Sequence, residues 1–140
     1  MIIVLILFIL KRMYKNYFHI TKLDFKNFFF HLPRKKNIIL DYGCGNGIFN
    51  KKHAKNQKVK IIKMFDTDKN LKKMILNKYK SCNNIIWTDT LKQNYDVVFI
   101  NSVIQYMNNL EYKNLINFFF KKKINLIIVS DIPKFPRFIE

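Results

Sequence analysis

All three glycines of this 140-residue chain fall within five positions, in Asp41-Tyr42-Gly43-Cys44-Gly45-Asn46-Gly47. They follow Asn37-Ile38-Ile39-Leu40-Asp41, a short apolar run of the kind found in strands buried on both faces. They precede a segment, 48–57, that reads as a helix. Glycine at such a junction permits positive φ and brings a ligand against the backbone with no Cβ in the way. One glycine suffices for a tight turn; three here, and none elsewhere, point to a ligand loop. The spacing narrows the ligand. A dinucleotide loop follows G-x-G-x-x-G, and the third glycine of that pattern would fall on Ile48. The pattern here is D-x-G-x-G-x-G. A carboxylate at Asp41 suits an ammonium or sulfonium ligand better than a pyrophosphate.

Around this loop the chain alternates helix-like and strand-like segments. Thr21-Lys22-Leu23-Asp24 has the form of a helix start, Phe25, Phe28, Phe29 and Leu32 share one helical face, and Pro33 ends that run. Strands are expected over 37–41, 59–65, 84–88, 95–100 and 124–130. Helices are expected over 48–57, 69–80 and 111–121, with Asp68 as a cap. Apolar strands alternating with helices mean parallel pairing. The predicted fold is therefore α/β: a doubly wound, mostly parallel, Rossmann-like sheet of about five strands with helices on both faces. Ligands of such sheets bind beyond the carboxyl ends of the strands, at the switch point.

The acids gather at that rim. Asp41, Asp66, Asp89 and Asp131 each fall at the carboxyl end of an expected strand, four of only nine acidic residues. Asp66 follows the glycine loop by about the twenty residues at which an acid reaches ribose hydroxyls in nucleotide-binding sheets. Asp89 reads equally as a turn residue or an adenine contact. Asp96 begins a strand, at the opposite end, and reads as structural.

With these residues in place, Ile39-Leu40-Asp41-Tyr42-Gly43-Cys44-Gly45-Asn46-Gly47 resembles the first motif of the class I S-adenosyl-L-methionine-dependent methyltransferases. Phe65-Asp66-Thr67-Asp68 is similar to their second-strand acidic motif, and Trp87-Thr88-Asp89-Thr90 stands where the family carries an acid near the adenine. Tyr95 to Tyr106 resembles the fourth-strand motif and the turn after it. The likeness covers about residues 33–133. It implies that Gly43, Cys44, Gly45 and Gly47 wrap the methionine portion of S-adenosyl-L-methionine, with Asp41 near its amino group. It further implies Asp66, with Thr67 beside it, at the ribose, Asp89 and Thr90 at the adenine, and Asn101 and Ser102 approaching the cofactor from beyond the fourth strand. The sequence departs from the family after the expected fifth strand, where a helix and an antiparallel strand pair would follow. That departure leads us to expect an interrupted chain whose fifth strand lies at an unpaired edge.

No catalytic residue stands out. Asn101-Ser102-Val103-Ile104 lacks the Pro-Pro-aromatic motif of amino-directed nucleic-acid methyltransferases, and Ser81-Cys82-Asn83 lacks the proline before the nucleophilic cysteine of cytosine-carbon enzymes. Cys44 reads as packing. His19, His31 and His53 show no metal spacing, and His53, among Lys and Asn, reads as solvated. Gln105 and Tyr106 read either as acceptor contacts or as packing for the next helix, and Phe118-Phe119-Phe120 as core. The acceptor expected is a small molecule or a glycan-like one.

The net charge of +17 comes from 26 Lys and Arg against nine acids, and only Arg12, Arg34 and Arg137 are arginines. Sequence-specific nucleic-acid readers depend on arginine for bidentate contacts, so the lysines read as a solvated surface and no specific nucleic-acid partner is expected. Residues 1–12, opening on MIIVLILFIL, form a hydrophobic segment too short to span a bilayer, and 13–140 a single domain. The segment reads as a weak membrane-surface contact helped by Lys11, Arg12 and Lys15, as a truncated hydrophobic stretch, or as sequence upstream of a true start at Met13. Two cysteines form no disulfide framework, so a cytoplasmic location is expected, with attachment at a membrane's inner face through the N-terminal segment as the alternative. The alternative to an enzyme is a basic, catalytically incomplete module of the same fold that associates with membrane or RNA.

Overall fold

A computed structural model describes residues 17–19, 32–47, 50–122 and 124–130. The elements are β1 (Tyr17–His19), β2 (Asn37–Tyr42), α1 (Asn50–His53), β3 (Val59–Phe65), α2 (Asn70–Lys78), β4 (Ile85–Trp87), β5 (Val97–Asn101), a 3-10 turn (Ile104–Tyr106), α3 (Asn109–Lys121) and β6 (Leu126–Ser130). The strands form one sheet in the order β1-β6-β5-β2-β3-β4, with every pair parallel. From β2 the chain steps outward to β3 and β4, then returns to lay β5 on the other side of β2. The switch point is thus between β2 and β5, where the glycine loop emerges.

Side-chain alternation builds two cores, as the period of two along a strand requires. Ile39, Val97, Phe99, Leu126 and Ile128 point to one face, where Ala54 and α2's Ile75 cover them. Leu40, Val98, Ile100, Ile127 and Val129 point to the other, beneath Leu115, Ile116 and Phe119 of α3. Helices therefore lie on both faces, as the apolar strands predicted. Phe119 is fully buried and Phe118 and Phe120 pack beside it, so this run is core.

Several expectations shift. The sheet has six described strands, not five, because Tyr17–His19 lies parallel to β6 with Tyr17 opposite Ile127 and His19 opposite Val129. The β6 edge expected to be bare is therefore paired, with β5 on one side and β1 on the other. The helix expected over 48–57 is described only as Asn50–His53, since the polar stretch after it offers no apolar face to extend along. That short helix turns His53 and Ala54 inward, and His53, expected in solvent, is buried. The strand expected over 95–100 runs over 97–101. Asp96 precedes it and ties the sheet together at its amino end: its carboxylate accepts the Ile38 N–H at 2.8 Å and meets Lys35 Nζ at 2.5 Å.

The hydrophobic segment 1–12, residues 21–31 of the helical run expected to end at Pro33, and Asp131 lie outside the described residues. Among the described residues, no helix is long and apolar enough to cross a membrane and no group of His, Cys, Asp and Glu could hold a metal ion.

Candidate functional site

A cleft of about 1000 Å³ opens over the switch point, at the upper end of the roughly 300–1000 Å³ typical of ligand sites. Its floor is the glycine loop after β2; one wall is the end of β3, and the other is the segment from Asn101 into α3. Of the residues expected from sequence, the structure brings together Gly43, Cys44, Gly45, Asp66, Thr67, Asn101 and Ser102. It does not bring Asp41, Gly47, Asp89 or Thr90 to the lining.

The loop turns because its three glycines take φ of +71°, +50° and +66° at Gly43, Gly45 and Gly47, the left-handed region that other residues enter at a cost. The three differ in what a side chain would meet. A Cβ on Gly43 would lie 2.3 Å from Val103 Cγ2, and one on Gly47 would lie 2.5 Å from Met64 Cε and 2.9 Å from Ile75 Cδ1. At Gly45 it would meet nothing within 4 Å. Gly43 and Gly47 are thus glycines for internal packing. Gly45 is one for open space above the loop, where a ligand can touch the backbone.

Backbone bonds fix the loop against β3. The N–H groups of Gly43 and Cys44 both donate to the Phe65 carbonyl, at 2.8 and 3.1 Å. The next N–H, of Gly45, donates to Asp66 Oδ2 at 2.9 Å, while Asp66 Oδ1 accepts the Asp68 N–H at 3.0 Å. Both carboxylate oxygens are thus held by the main chain. Each oxygen keeps a lone pair for a further donor, so Asp66 is an acceptor oriented in advance. Asp68 caps α2 as expected, its Oδ1 accepting the Asn70 N–H at 2.9 Å. Across the cleft, Ser102 holds φ at +55°, a conformation uncommon for serine and one that concentrates at functional sites.

Asp41 corrects an expectation. It shares the Ile39 side of β2, so its carboxylate lies beneath the loop, buried, and accepts from Asn50 Nδ2 at 2.6 Å. Burial pushes its pKa up to about 7; the Asn50 hydrogen bond opposes that rise and the nearby Asp66 charge adds to it. The carboxylate is absent from the cleft lining. Its role is to join the loop's two ends, from β2 to α1.

Asp89 and Thr90 are likewise displaced from their expected place. They follow β4 at the sheet's edge, where Asp89 is exposed. Its carboxylate accepts from Lys72 Nζ at 2.6 Å, the Trp87 indole N–H at 2.9 Å and Lys69 Nζ at 3.5 Å. These donors hold its pKa down to about 2, with Lys72 and Trp87 foremost. Thr90 turns inward on its own loop, its carbonyl accepting from the Thr88 and Tyr95 hydroxyls. Cys44 lines the cleft with its thiol pKa pushed well up, chiefly by burial and then by Asp41 and Asp66.

The cleft also contains residues that sequence reading left out or left open. Tyr106 is 82% exposed and lines the cleft, so it does not pack under α3. Glu111 lines it too, at the start of α3. A capping box holds Glu111: Asn108 Oδ1 accepts its N–H at 2.9 Å while Glu111 Oε2 accepts the Asn108 N–H at 2.8 Å. Asn-x-x-Glu was the available signal, a capping box that starts the helix at 109 instead of 111. Tyr42 stacks on Phe65 with ring centres 5.4 Å apart, making an aromatic backdrop to the same space.

Solved structures share this fold. The methyltransferase domain of bacterial CtHen1 superposes with a TM-score of 0.57 at 18% identity, over 68% of this chain and 55% of that one. The chain has the class I methyltransferase fold. Coclaurine N-methyltransferase, bound to N-methylheliamine and SAH, gives 0.57 at 18%, over 69% and 31% of the two chains. Phosphoethanolamine N-methyltransferase 1 of Haemonchus contortus, in complex with phosphoethanolamine and S-adenosylhomocysteine, gives 0.57 at 19%, over 76% and 24%. The chain therefore spans from about a quarter to about half the length of these methyltransferase-fold proteins. No protein-family model and no curated protein sequence matches it.

Proposed function

We propose that the cleft binds S-adenosylmethionine and that the protein transfers its methyl group to a small-molecule or glycan-like acceptor. The observation that carries this reading is the pair at the cleft floor: Gly45, left-handed and open above, donating to a cleft-lining Asp66 carboxylate that retains lone pairs for further donors. Gly43, Cys44 and Gly45 then cradle the methionine portion, with Gly47 shaping the loop from below. Asp66 accepts from the ribose hydroxyls, with Thr67 beside it, and Asn101 and Ser102 border the cofactor from the β5 side. Solved structures of this fold carry S-adenosylhomocysteine together with small molecules, which supports a small acceptor.

When bound, the cofactor supplies an electrophilic sulfonium methyl. What the chain must do is hold an acceptor in line with that methyl and close to it. The wall formed by Tyr106, Met107, Glu111 and Asn114 faces the space where such an acceptor would sit.

Calorimetric titration of the full chain tests the cofactor assignment. S-Adenosylmethionine and S-adenosylhomocysteine should both bind at one site, and NAD should not. Absence of binding by the first two overturns the reading.

A further inference from the structure

In a protein of net charge +17, the cleft runs against the surface around it. Among the described residues, no Lys, Arg or His lines it, while two carboxylates, Asp66 and Glu111, do. Two lysines outside the lining contact residues that belong to it. Lys78 Nζ donates to the Asn46 carbonyl at 2.7 Å. Lys69 lies over the Phe65 ring at 5.5 Å and reaches Asp89. The two carboxylates come from opposite sides of β2, which separates β3, followed by Asp66, from β5 and the α3 helix that carries Glu111. Both raise the pKa of Tyr42 between them, after burial, which is the largest cause.

If Asp66 serves the ribose, Glu111 is left with no cofactor role. It lines the same cleft as Tyr106 and Tyr42, and carboxylates with aromatic faces are how proteins hold organic cations. A phosphate or carboxylate acceptor would meet two like charges here and no cation.

We infer that the second ligand of this cleft is an amine, held as its cation by Glu111 with Tyr106 against it, and that it is the methyl acceptor. This rests on the methyl-transfer reading above. In the transfer, the amine first gives a proton to water, which reaches the exposed Tyr106 end. The nitrogen lone pair then forms the N–C bond while the S–C pair returns to sulfur. The products are a neutral thioether and an N-methylammonium.

The test titrates the full chain, followed by NMR, with three ligands of one shape: phenethylamine, 2-phenylethanol and 3-phenylpropanoate. Each titration is run with and without S-adenosylhomocysteine. The amine should bind at least tenfold more tightly than the alcohol or the anion, and added salt should reduce that margin. Glu111→Gln keeps the capping box, since glutamine also accepts there, and should weaken the amine five- to tenfold while leaving S-adenosylhomocysteine affinity unchanged. Tyr106→Leu should weaken it two- to fivefold, and Tyr106→Phe should not. No binding by the amine, equal binding of the three ligands, or an unaltered amine affinity in Glu111→Gln overturns the inference. Loss of S-adenosylhomocysteine binding alone, with the amine preference intact, overturns the cofactor reading instead and leaves the charge selectivity of the cleft standing.

Discussion

Two strand ends of this sheet carry the same chemical signal and come to different uses. After β3, Asp66 turns to the centre of the sheet and clasps the Gly45 N–H. After β4, Asp89 lies at the sheet's edge and accepts from Lys72, Trp87 and Lys69. Each is an aspartate just past a parallel strand. What separates them is the strand's position: β3 is beside β2, whose loop supplies the cleft floor, whereas β4 has no neighbour beyond it among the described residues. An acid at a strand end marks the right rim. Sheet order decides whether that rim is a site or a surface.

Substitutions sharpen the contrast, and the largest effect is expected beneath the centre. Folded Asp41 keeps its proton up to about pH 7, against 3.8 for an ordinary carboxyl. Between those values the folded state binds more protons than the unfolded one, so this group's contribution to stability is present in full below about pH 4. It is lost as pH rises through 7. Asp41→Asn removes the slope while still accepting from Asn50. The variant should match the original chain in urea midpoint at pH 4 and exceed it at pH 8, by on the order of 3–4 kcal/mol from about three pKa units. Equal midpoints at pH 8 would break this account of the buried end.

Gly47→Ala comes next. A left-handed alanine pressed on Met64 and Ile75 should destabilise the fold by about 3 kcal/mol in urea unfolding. Asp66→Asn should leave the fold intact and reduce S-adenosylhomocysteine affinity roughly 10- to 100-fold by calorimetry, the range for losing hydrogen bonds to a charged acceptor. Asp89→Asn, the edge counterpart, should change that affinity less than twofold. Equal losses at 66 and 89 would erase the distinction between centre and edge.

Much of this was legible in the sequence, for identifiable reasons. Strands buried on both faces read as unbroken apolar runs, so β2, β5 and β6 could be placed within a residue or two. Three clustered glycines announced the loop. Other features depend on relations that one sequence does not print. Asp41 follows Ile39 by two and so shares its face, a cue outweighed by the carboxylate's proximity to the glycines. His53 looked solvated among polar neighbours, because the shortness of α1, which turns it inward, is a tertiary outcome. Strand β1 has three residues, too few for a periodicity, and it exists through its pairing with β6. Tyr106 and Glu111 enter the cleft because the 3-10 turn and the Asn108 cap aim them there.

The central claim is that the space above Gly45 is where the cofactor's methionine portion lies, and Gly45→Val tests it most directly. A valine there meets no protein atom within 4 Å of its Cβ, so the chain should stay folded with only the strain of a left-handed side chain. Calorimetry with S-adenosylhomocysteine should show binding to the original chain and at least a 100-fold loss in the folded variant. Undiminished binding by Gly45→Val would contradict the account.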